Sequence, residues 1–409
     1  MTPRPDGAPD RRLALAVAAT CFLAGFTGRG LVESFVVFLL PLSAAFGWDR
    51  AEAVSIYALS TLASGVAGPL VGRLFDRAGP RVVYTAGLSL IGAGLTLAAF
   101  ATELWHFRLC VGLAVGLGAA CLGNVSNATL LGRWFGARLA LATSIVFSSF
   151  GIGMLVIVPL TQVAIDQLGW RGAYRLLGTV ALALILPLSL LPWRRFRAGR
   201  PDLARAQARP TAPGRPRPVL GVMADAAFWG LFAVYFFTSV AMFAIIVQAV
   251  AYLVAVGFPP LLAATAWGLV GMLLPAGMIV VGWLDTLIGR RPSVLLSYAV
   301  SLAGIGALWL LARFPNVWLL GVFVACFGGM LGSRGPLIST IALRVYQGPN
   351  AATILGMISI GSGTGSALGA WAGGLLHDWT GSYEPVIAFA ALSVLCAVVP
   401  FLTVAALRR

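Results

Sequence analysis

Residues 193–221 of this 409-residue chain read WRRFRAGRPDLARAQARPTAPGRPRPVLG and form its longest polar stretch. A segment so rich in arginine and proline cannot bury a hydrophobic core, so we expect a flexible linker. The chain on either side of it is strongly apolar. The linker therefore separates an N-terminal region, residues 1–192, from a C-terminal region, residues 222–409.

The two regions have the composition of a membrane protein. The chain is 59% hydrophobic and 10% charged, whereas soluble domains contain roughly 25% charged residues. A membrane-spanning helix needs about 20 mostly apolar residues, and long continuous runs favour helices over the alternating strands of a barrel. Six such runs precede the linker and six follow it. We number them spans 1–12, centred near residues 27, 62, 92, 120, 151, 182, 240, 272, 303, 331, 364 and 395.

The net charge of +15 comes from 28 basic residues, all of them arginines. With the N-terminus inside, 21 of these arginines fall in the termini, the linker and the even-numbered loops. This asymmetry follows the positive-inside rule, so the charge needs no nucleic-acid partner. We expect cytoplasmic termini and contacts between these arginines and anionic lipid. The all-arginine, alanine- and glycine-rich composition is typical of GC-rich bacteria and indicates a bacterial inner membrane.

The loops after spans 2 and 8 resemble each other. Residues 72–81 read GRLFDRAGPR and residues 282–291 read GWLDTLIGRR. Each contains a glycine, an aspartate, a second glycine and then arginine, with the position of the aspartate shifted by one residue. This repeat predicts an all-α membrane protein of twelve transmembrane helices in two pseudo-symmetric six-helix bundles, the usual architecture of secondary transporters.

The first of these loops resembles the loop 2–3 signature of the major facilitator superfamily, with Pro80 in place of a basic residue. Residues 133–142, RWFGARLALA, and residues 169–174, GWRGAY, resemble the monocarboxylate-porter and oxalate/formate-antiporter branch. Leu139 and Ala140 depart from the Arg-Gly often found there. The resemblance covers the whole chain and implies secondary transport by alternating access, not an enzyme. The sequence also lacks a phosphate-binding loop for ATP.

Three charges lie deep within the spans, where insertion costs at least about 2.5–3.5 kcal/mol each. They are Arg29 and Glu33 in span 1 and Arg334 in span 10, and the resemblance implies that spans 1, 4, 7 and 10 line a central cavity. Two arginine forks would bind a carboxylate well. Two alternatives remain: Glu33, four residues on, could neutralise Arg29, and the partner of Arg334 is either the solute or Glu33.

Glu33 has a second predicted role as a proton carrier, because a carboxylate beside a buried arginine could exchange a proton against that arginine. Animal monocarboxylate porters carry an Asp/Arg pair in span 8, and the oxalate antiporter carries an Arg in span 8 and a Lys in span 11. Here span 8 has no charge before Asp285, and span 11 has none before His377. Either the anion-binding charges have moved or the substrate differs.

Four uncharged polar residues in the cavity-lining spans are further candidates for solute binding. Asn124 and Asn127 lie three residues apart in span 4, so we expect them to share a helix face, and Tyr235 and Gln248 lie in span 7. The alternative is that each amide bonds a neighbouring helix, which is worth only about 0.6 kcal/mol on average.

The loop motif also predicts a gate. Asp76 could pair with an arginine of the next loop, or approach a helix N-terminus whose dipole favours negative charge. In the superfamily such a contact closes the cytoplasmic side when the opposite side is open. The alternative is a set of solvated loop charges. The predicted gating residues are Asp76, Arg77, Arg81, Arg133, Arg138 and Asp285.

We therefore expect a carrier of a small organic anion, a mono- or dicarboxylate, coupled to protons or to exchange of another anion. The alternative is an efflux antiporter for amphipathic or drug-like compounds. The five cysteines lie in apolar stretches without metal-ligand spacing. We expect no metal and no cofactor, and a monomer.

Overall fold

The computed structural model describes residues 7–135, 139–199, 225–346 and 351–404. Within these residues, nine segments are long and apolar enough to cross a membrane. One of them, Ile145–Ser189, contains both span 5 and span 6, which are separated by a turn at Gly169 with φ of 70°. Span 10, which is interrupted, and the helix Ala351–Thr380 complete the set of twelve. The predicted all-α membrane fold is confirmed.

The N-terminal half contains spans 1–6. Its first, fourth and sixth spans are each divided, the fourth by a π-helical segment and an extended glycine. The helices are Gly7–Glu33 and Phe35–Phe46 (span 1), Arg50–Ala78 (span 2), Pro80–Ala98 (span 3), Leu104–Phe107, π-helix Arg108–Val115, Gly116–Leu122 and Asn124–Gly132 (span 4), and Leu139–Ala183 and Ile185–Ser189 (spans 5 and 6).

The C-terminal half contains spans 7–12 and repeats this pattern. Its first span is again divided, and its fourth again contains a π-helical segment. The helices are Ala226–Ile246 and Ala249–Ala255 (span 7), Pro260–Ile288 (span 8), Arg290–Leu311 (span 9), Val317–Phe323, π-helix Val324–Gly328, Gly329–Leu331 and Arg334–Val345 (span 10), Ala351–Thr380 (span 11) and Glu384–Thr403 (span 12).

The repeated loops share their backbone conformation. Gly79 ends span 2 with φ 86° and ψ 173°, and Gly289 ends span 8 with φ 82° and ψ 166°. Only glycine adopts this region without strain. The second glycine of each motif therefore turns the chain directly from one span into the next. Both loops need this backbone conformation, which explains why the glycine occurs in both.

The largest contacts between the two halves are made by two pairs of spans. Span 5 packs on span 8, and span 2 packs on span 11, while span 1 also contacts span 7. Glycines permit the first contact, since a Cβ at Gly151 would collide with the carbonyl of Gly271. We call the end with Asp76 and Arg133 the arginine-rich end, and the end where span 2 begins and span 11 finishes the opposite end.

The start of the predicted linker is structured. Trp193–Ala198 form a short helix in which Trp193 and Phe196 are buried. The indole of Trp134 donates a hydrogen bond to the Phe196 carbonyl at 2.9 Å. The expectation of a flexible segment is therefore wrong for these six residues, because two aromatic side chains anchor them to the N-terminal half. Residues 200–221 of the linker lie outside the described residues.

Candidate functional site

Four of the predicted site residues, one for proton coupling and three for solute binding, lie at helix interruptions. Glu33 ends the first helix of span 1, Asn124 begins the last helix of span 4, and Gln248 precedes the second helix of span 7. Arg334 begins the last helix of span 10. Interrupted helices at membrane depth are tolerated where they are buried in protein or line a cavity, and transporters build their sites at such interruptions. All four spans that the resemblance placed around the cavity are therefore interrupted.

Arg29 and Glu33 form an ion pair within span 1. Arg29 Nη2 lies 2.6 Å from Glu33 Oε1. The Glu33 side chain is fully buried, whereas 37% of the Arg29 side chain is exposed. The alternative in which Glu33 neutralises Arg29 is therefore realised, but the guanidinium keeps an open edge that a second anion could reach.

Tyr57 of span 2 completes this cluster, and it was not among the site residues predicted from the sequence. Its hydroxyl donates a hydrogen bond to Glu33 Oε1 at 3.0 Å. Its ring lies 5.8 Å from that of Phe35 and 6.2 Å from that of Phe243, which belongs to the other half. Glu33 Oε2 is buried without a hydrogen-bond partner among the described residues. That oxygen is thus free to accept a proton.

Arg334 is buried within the C-terminal half with 4% of its surface exposed. Its Nη2 donates to the Ser297 carbonyl at 2.8 Å and to the Ser301 hydroxyl, both in span 9. Its guanidinium carbon lies 4.1 Å from the centre of the Tyr298 ring. Nη1 has no hydrogen-bond partner among the described residues, and none of the described carboxylates pairs with this arginine.

The alternative pairing of Glu33 with Arg334 is not present in this structure. Glu33 is engaged by Arg29 and Tyr57, while Arg334 is held by span 9. The two arginines belong to opposite halves and have separate partners. A cationic group whose partners are a carbonyl, a hydroxyl and an aromatic face is solvated but not neutralised.

The two asparagines of span 4 lie on one helix, Asn124–Gly132, but differ in burial. Asn127 is fully buried, with Oδ1 accepting from the Tyr84 hydroxyl at 2.7 Å and Nδ2 donating to the Leu122 carbonyl at 3.1 Å. Asn124, the first residue of this helix, is exposed. The helix break at Gly123 lies before both residues, and it leaves the Leu122 carbonyl for Asn127 to satisfy. Asn127 therefore supports the break, and only Asn124 is available to a solute.

The two candidates of span 7 differ in their surroundings. The Tyr235 hydroxyl donates to the Gly335 carbonyl at 3.1 Å, next to Arg334, and so links span 7 to the interruption of span 10. Gln248 is 2% exposed, and neither of its amide atoms has a partner among the described residues. It lies near the opposite end, beside Tyr252 and Tyr383. Gln248 is therefore separate from the Arg29 cluster.

Two of the predicted gating residues, Asp76 and Arg133, form an ion pair at the arginine-rich end. Asp76 Oδ1 is 3.6 Å from Arg133 Nη2, and 73% of the Asp76 side chain is exposed. Both residues belong to the N-terminal half, so this ion pair does not tie the halves together. Arg77 and Arg81 are exposed, Asp285 is partly buried at the end of span 8, and Arg138 lies outside the described residues.

Comparison with known proteins places the chain in one family. The family model described as Major Facilitator Superfamily matches residues 17–312 and 276–409. Monocarboxylate transporter 13 of Rattus norvegicus is 27% identical over 385 residues, covering 92% of this chain and 85% of that protein. Monocarboxylate transporter 11 of Homo sapiens is 29% identical over 406 residues, covering 94% and 81%. YcxA of Bacillus subtilis, an uncharacterized MFS-type transporter, is 28% identical over 388 residues, covering 90% and 91%.

Solved structures share the fold at low sequence identity. The nucleoside transporter NupG, in a mutant form, superposes with a TM-score of 0.76 at 12% identity, covering 94% of this chain and 99% of that one. A bacterial homolog of the human lysosomal transporter Spinster superposes with a TM-score of 0.69 at 14% identity, covering 94% of each chain. The arrangement of spans is thus that of known transporters, whereas these likenesses say nothing about the solute.

Proposed function

The chain belongs to the major facilitator superfamily and is a multi-pass membrane transporter, and from that premise we propose that its solute is a small organic anion. The solute is a mono- or dicarboxylate, carried by alternating access together with a proton or in exchange for another anion. The relatives named monocarboxylate transporters support this class. The protein lies in a bacterial inner membrane with both termini cytoplasmic, and it works as a monomer.

The observation that carries this proposal is the charge balance of the interrupted spans. The described residues of these spans include two buried or partly buried guanidinium groups, Arg29 and Arg334, and one buried carboxylate, Glu33, which pairs with Arg29. A buried charge without a counter-charge is costly, and a solute carboxylate would remove that cost. An anion is therefore the solute class that these side chains favour, and a cationic drug is disfavoured.

Glu33 supplies the coupling in this mechanism. While Glu33 is charged, its Oε1 occupies Arg29 Nη2 at 2.6 Å and competes with any second anion. Protonation at Oε2, which is free of partners in the described structure, removes that competing charge. Arg29 then binds the solute carboxylate, and the proton and the anion cross the membrane together as a neutral pair.

Arg334 provides the contribution of the C-terminal half. Its free Nη1 is the donor that a carboxylate would engage, while the contacts with span 9 keep the guanidinium plane fixed. Tyr235 lies on the same interruption through its bond to the Gly335 carbonyl. A solute bridging Arg29 and Arg334 would join the two halves, which is how binding could promote their movement.

The test is uptake of a panel of radiolabelled carboxylates into proteoliposomes with an imposed pH gradient, comparing wild type with Arg334→Gln. We expect one or more carboxylates to accumulate, and at least a tenfold loss in the variant. Arg313→Gln is the matched control, because Arg313 is an exposed arginine that pairs with Glu384 at 3.4 Å. Uptake that survives in Arg334→Gln would make this arginine structural. Absence of any carboxylate uptake by folded protein would favour the efflux alternative.

A further inference from the structure

The N-terminus of span 2 is satisfied partly by the other half of the protein. The first turn of a helix leaves four N–H groups without intrahelical partners. The Asp49 side chain accepts the third N–H, that of Glu52, and the Asp49 carbonyl accepts that of Ala53 at 3.0 Å. The first two N–H groups, of Arg50 and Ala51, donate to Oδ1 and Oδ2 of Asp378 at 2.8 and 2.6 Å.

Asp378 reaches this position from the last turn of span 11. Its side chain is 17% exposed. Gly374, one turn earlier, lets the two spans approach, since a Cβ there would lie 2.8 Å from the Ala51 Cα. A carboxylate that accepts two backbone N–H groups at a helix N-terminus makes charge-assisted hydrogen bonds and also interacts favourably with the helix dipole.

Two partly buried side chains, His377 and Tyr383, lie beside this contact. His377 Nδ1 lies 3.7 Å from Asp378 Oδ1, and the His377 ring lies 4.4 Å from the ring of Tyr383. Burial raises the pKa of Tyr383 above its usual value, so its hydroxyl stays neutral. Water therefore has restricted access to the two hydrogen bonds, which strengthens them relative to a solvated pair.

The two ends of the bundle are in different states. At the opposite end, Asp378 of the C-terminal half is bound to the first turn of span 2 in the N-terminal half. At the arginine-rich end, Asp76 finishes span 2 and pairs with Arg133 of its own half. Span 2 is thus tied to span 11 at its beginning, while its other end carries an exposed carboxylate.

We propose that Asp378 is a gating residue whose carboxylate, bound to the N-terminus of span 2, holds the opposite end of the transporter closed. The bond breaks in each transport cycle, when the halves separate at this end and water hydrates Asp378 and the freed N–H groups of Arg50 and Ala51. Alternating access thus depends on a contact made by a side chain that lies outside the loop motifs.

The experiment measures both ends of the bundle by double electron–electron resonance, in protein without its five native cysteines. One spin-label pair, Thr102→Cys with Phe314→Cys, reports the opposite end. The other, Val82→Cys with Leu287→Cys, reports the arginine-rich end. For Asp378→Ala we expect the population with a long distance at the opposite end to rise roughly ten- to a hundredfold relative to the closed one, since two charge-assisted bonds are lost. The second pair should shift to shorter distances.

Two further variants keep the test decisive. Asp378→Asn retains one acceptor and should give an intermediate shift, and it serves if Asp378→Ala does not fold. Glu384→Gln is the matched control, because Glu384 is an acidic residue at the same end that pairs with Arg313 of its own half. The proposal fails if Asp378→Ala and Asp378→Asn leave the opposite-end distances at wild-type values, or if Glu384→Gln shifts them equally. No solute is added, so the outcome is independent of the anion proposed above.

Discussion

Replacement of Glu33 by glutamine should tighten anion binding and abolish proton-driven accumulation of the anion. In the wild type, the buried Glu33 carboxylate holds Arg29 Nη2 at 2.6 Å, and a solute must compete with it. A hydrogen bond to a charged group is worth about 1.5–3 kcal/mol. We reduce this to about 1–2 kcal/mol, because 37% of the Arg29 side chain is exposed and water screens the pair.

Removal of that competitor corresponds to roughly a 5- to 30-fold lower Kd for the anion. Glutamine carries no charge, so the competition with the solute for Arg29 is permanently removed. The same variant should lose proton-driven accumulation while it still exchanges labelled for unlabelled anion, since no proton can be released from glutamine.

The measurement is equilibrium binding of the radiolabelled carboxylate identified by uptake, on purified protein. Glu384→Gln provides the control for loss of a carboxylate elsewhere, as Glu384 is 60% exposed and far along the chain in span 12. Unchanged or weaker binding in Glu33→Gln would refute the competition between Glu33 and the solute for Arg29.

The remaining predictions concern the other contacts of the spans. Arg334→Lys should transport as poorly as Arg334→Gln in the proteoliposome uptake assay. Lysine lacks the planar guanidinium group, which can contact span 9 and still leave Nη1 free for a solute. Asn127→Ala should lower the free energy of unfolding by about 1–3 kcal/mol, measured by thermal unfolding in detergent, because the buried Tyr84 hydroxyl loses its acceptor. The KM for uptake should stay unchanged. Gly151→Ala should slow transport at least tenfold at normal expression, because its Cβ would meet the Gly271 carbonyl between the halves, whereas Gly68→Ala, which has open space, should transport normally.

The architecture could be predicted from local chemistry. Twelve apolar runs, an arginine asymmetry and two matched loops depend only on the order of residues along the chain. A span must satisfy its own backbone in hydrocarbon, so its helical state follows from its composition. The deep charges were conspicuous for the same reason, since few residues other than functional ones are kept at that depth.

The roles of individual side chains were harder to predict. Asn124 and Asn127 lie three residues apart on one helix, yet Asn127 is buried against Tyr84 and Leu122 while Asn124 is exposed. Tyr57 carries no signal in the sequence, because a tyrosine in an apolar span is equally compatible with packing. Trp193 and Phe196 lie in a polar stretch, and their burial depends on a surface that the N-terminal half provides.

The sequence by itself determined the membrane fold, the internal repeat and the three deep charges, because hydrophobic runs and buried charges act through the large free-energy differences between water and lipid. Only the tertiary structure decided which charges pair: Glu33 with Arg29 and Tyr57, Arg334 with span 9, and Asp378 with the first turn of span 2. Apart from the ion pair of Arg29 and Glu33, which lie four residues apart, these contacts join residues distant in the chain, and they depend on distances of a few ångströms that packing between spans establishes. They are therefore properties of the folded molecule, and they indicate where its transport cycle can be tested.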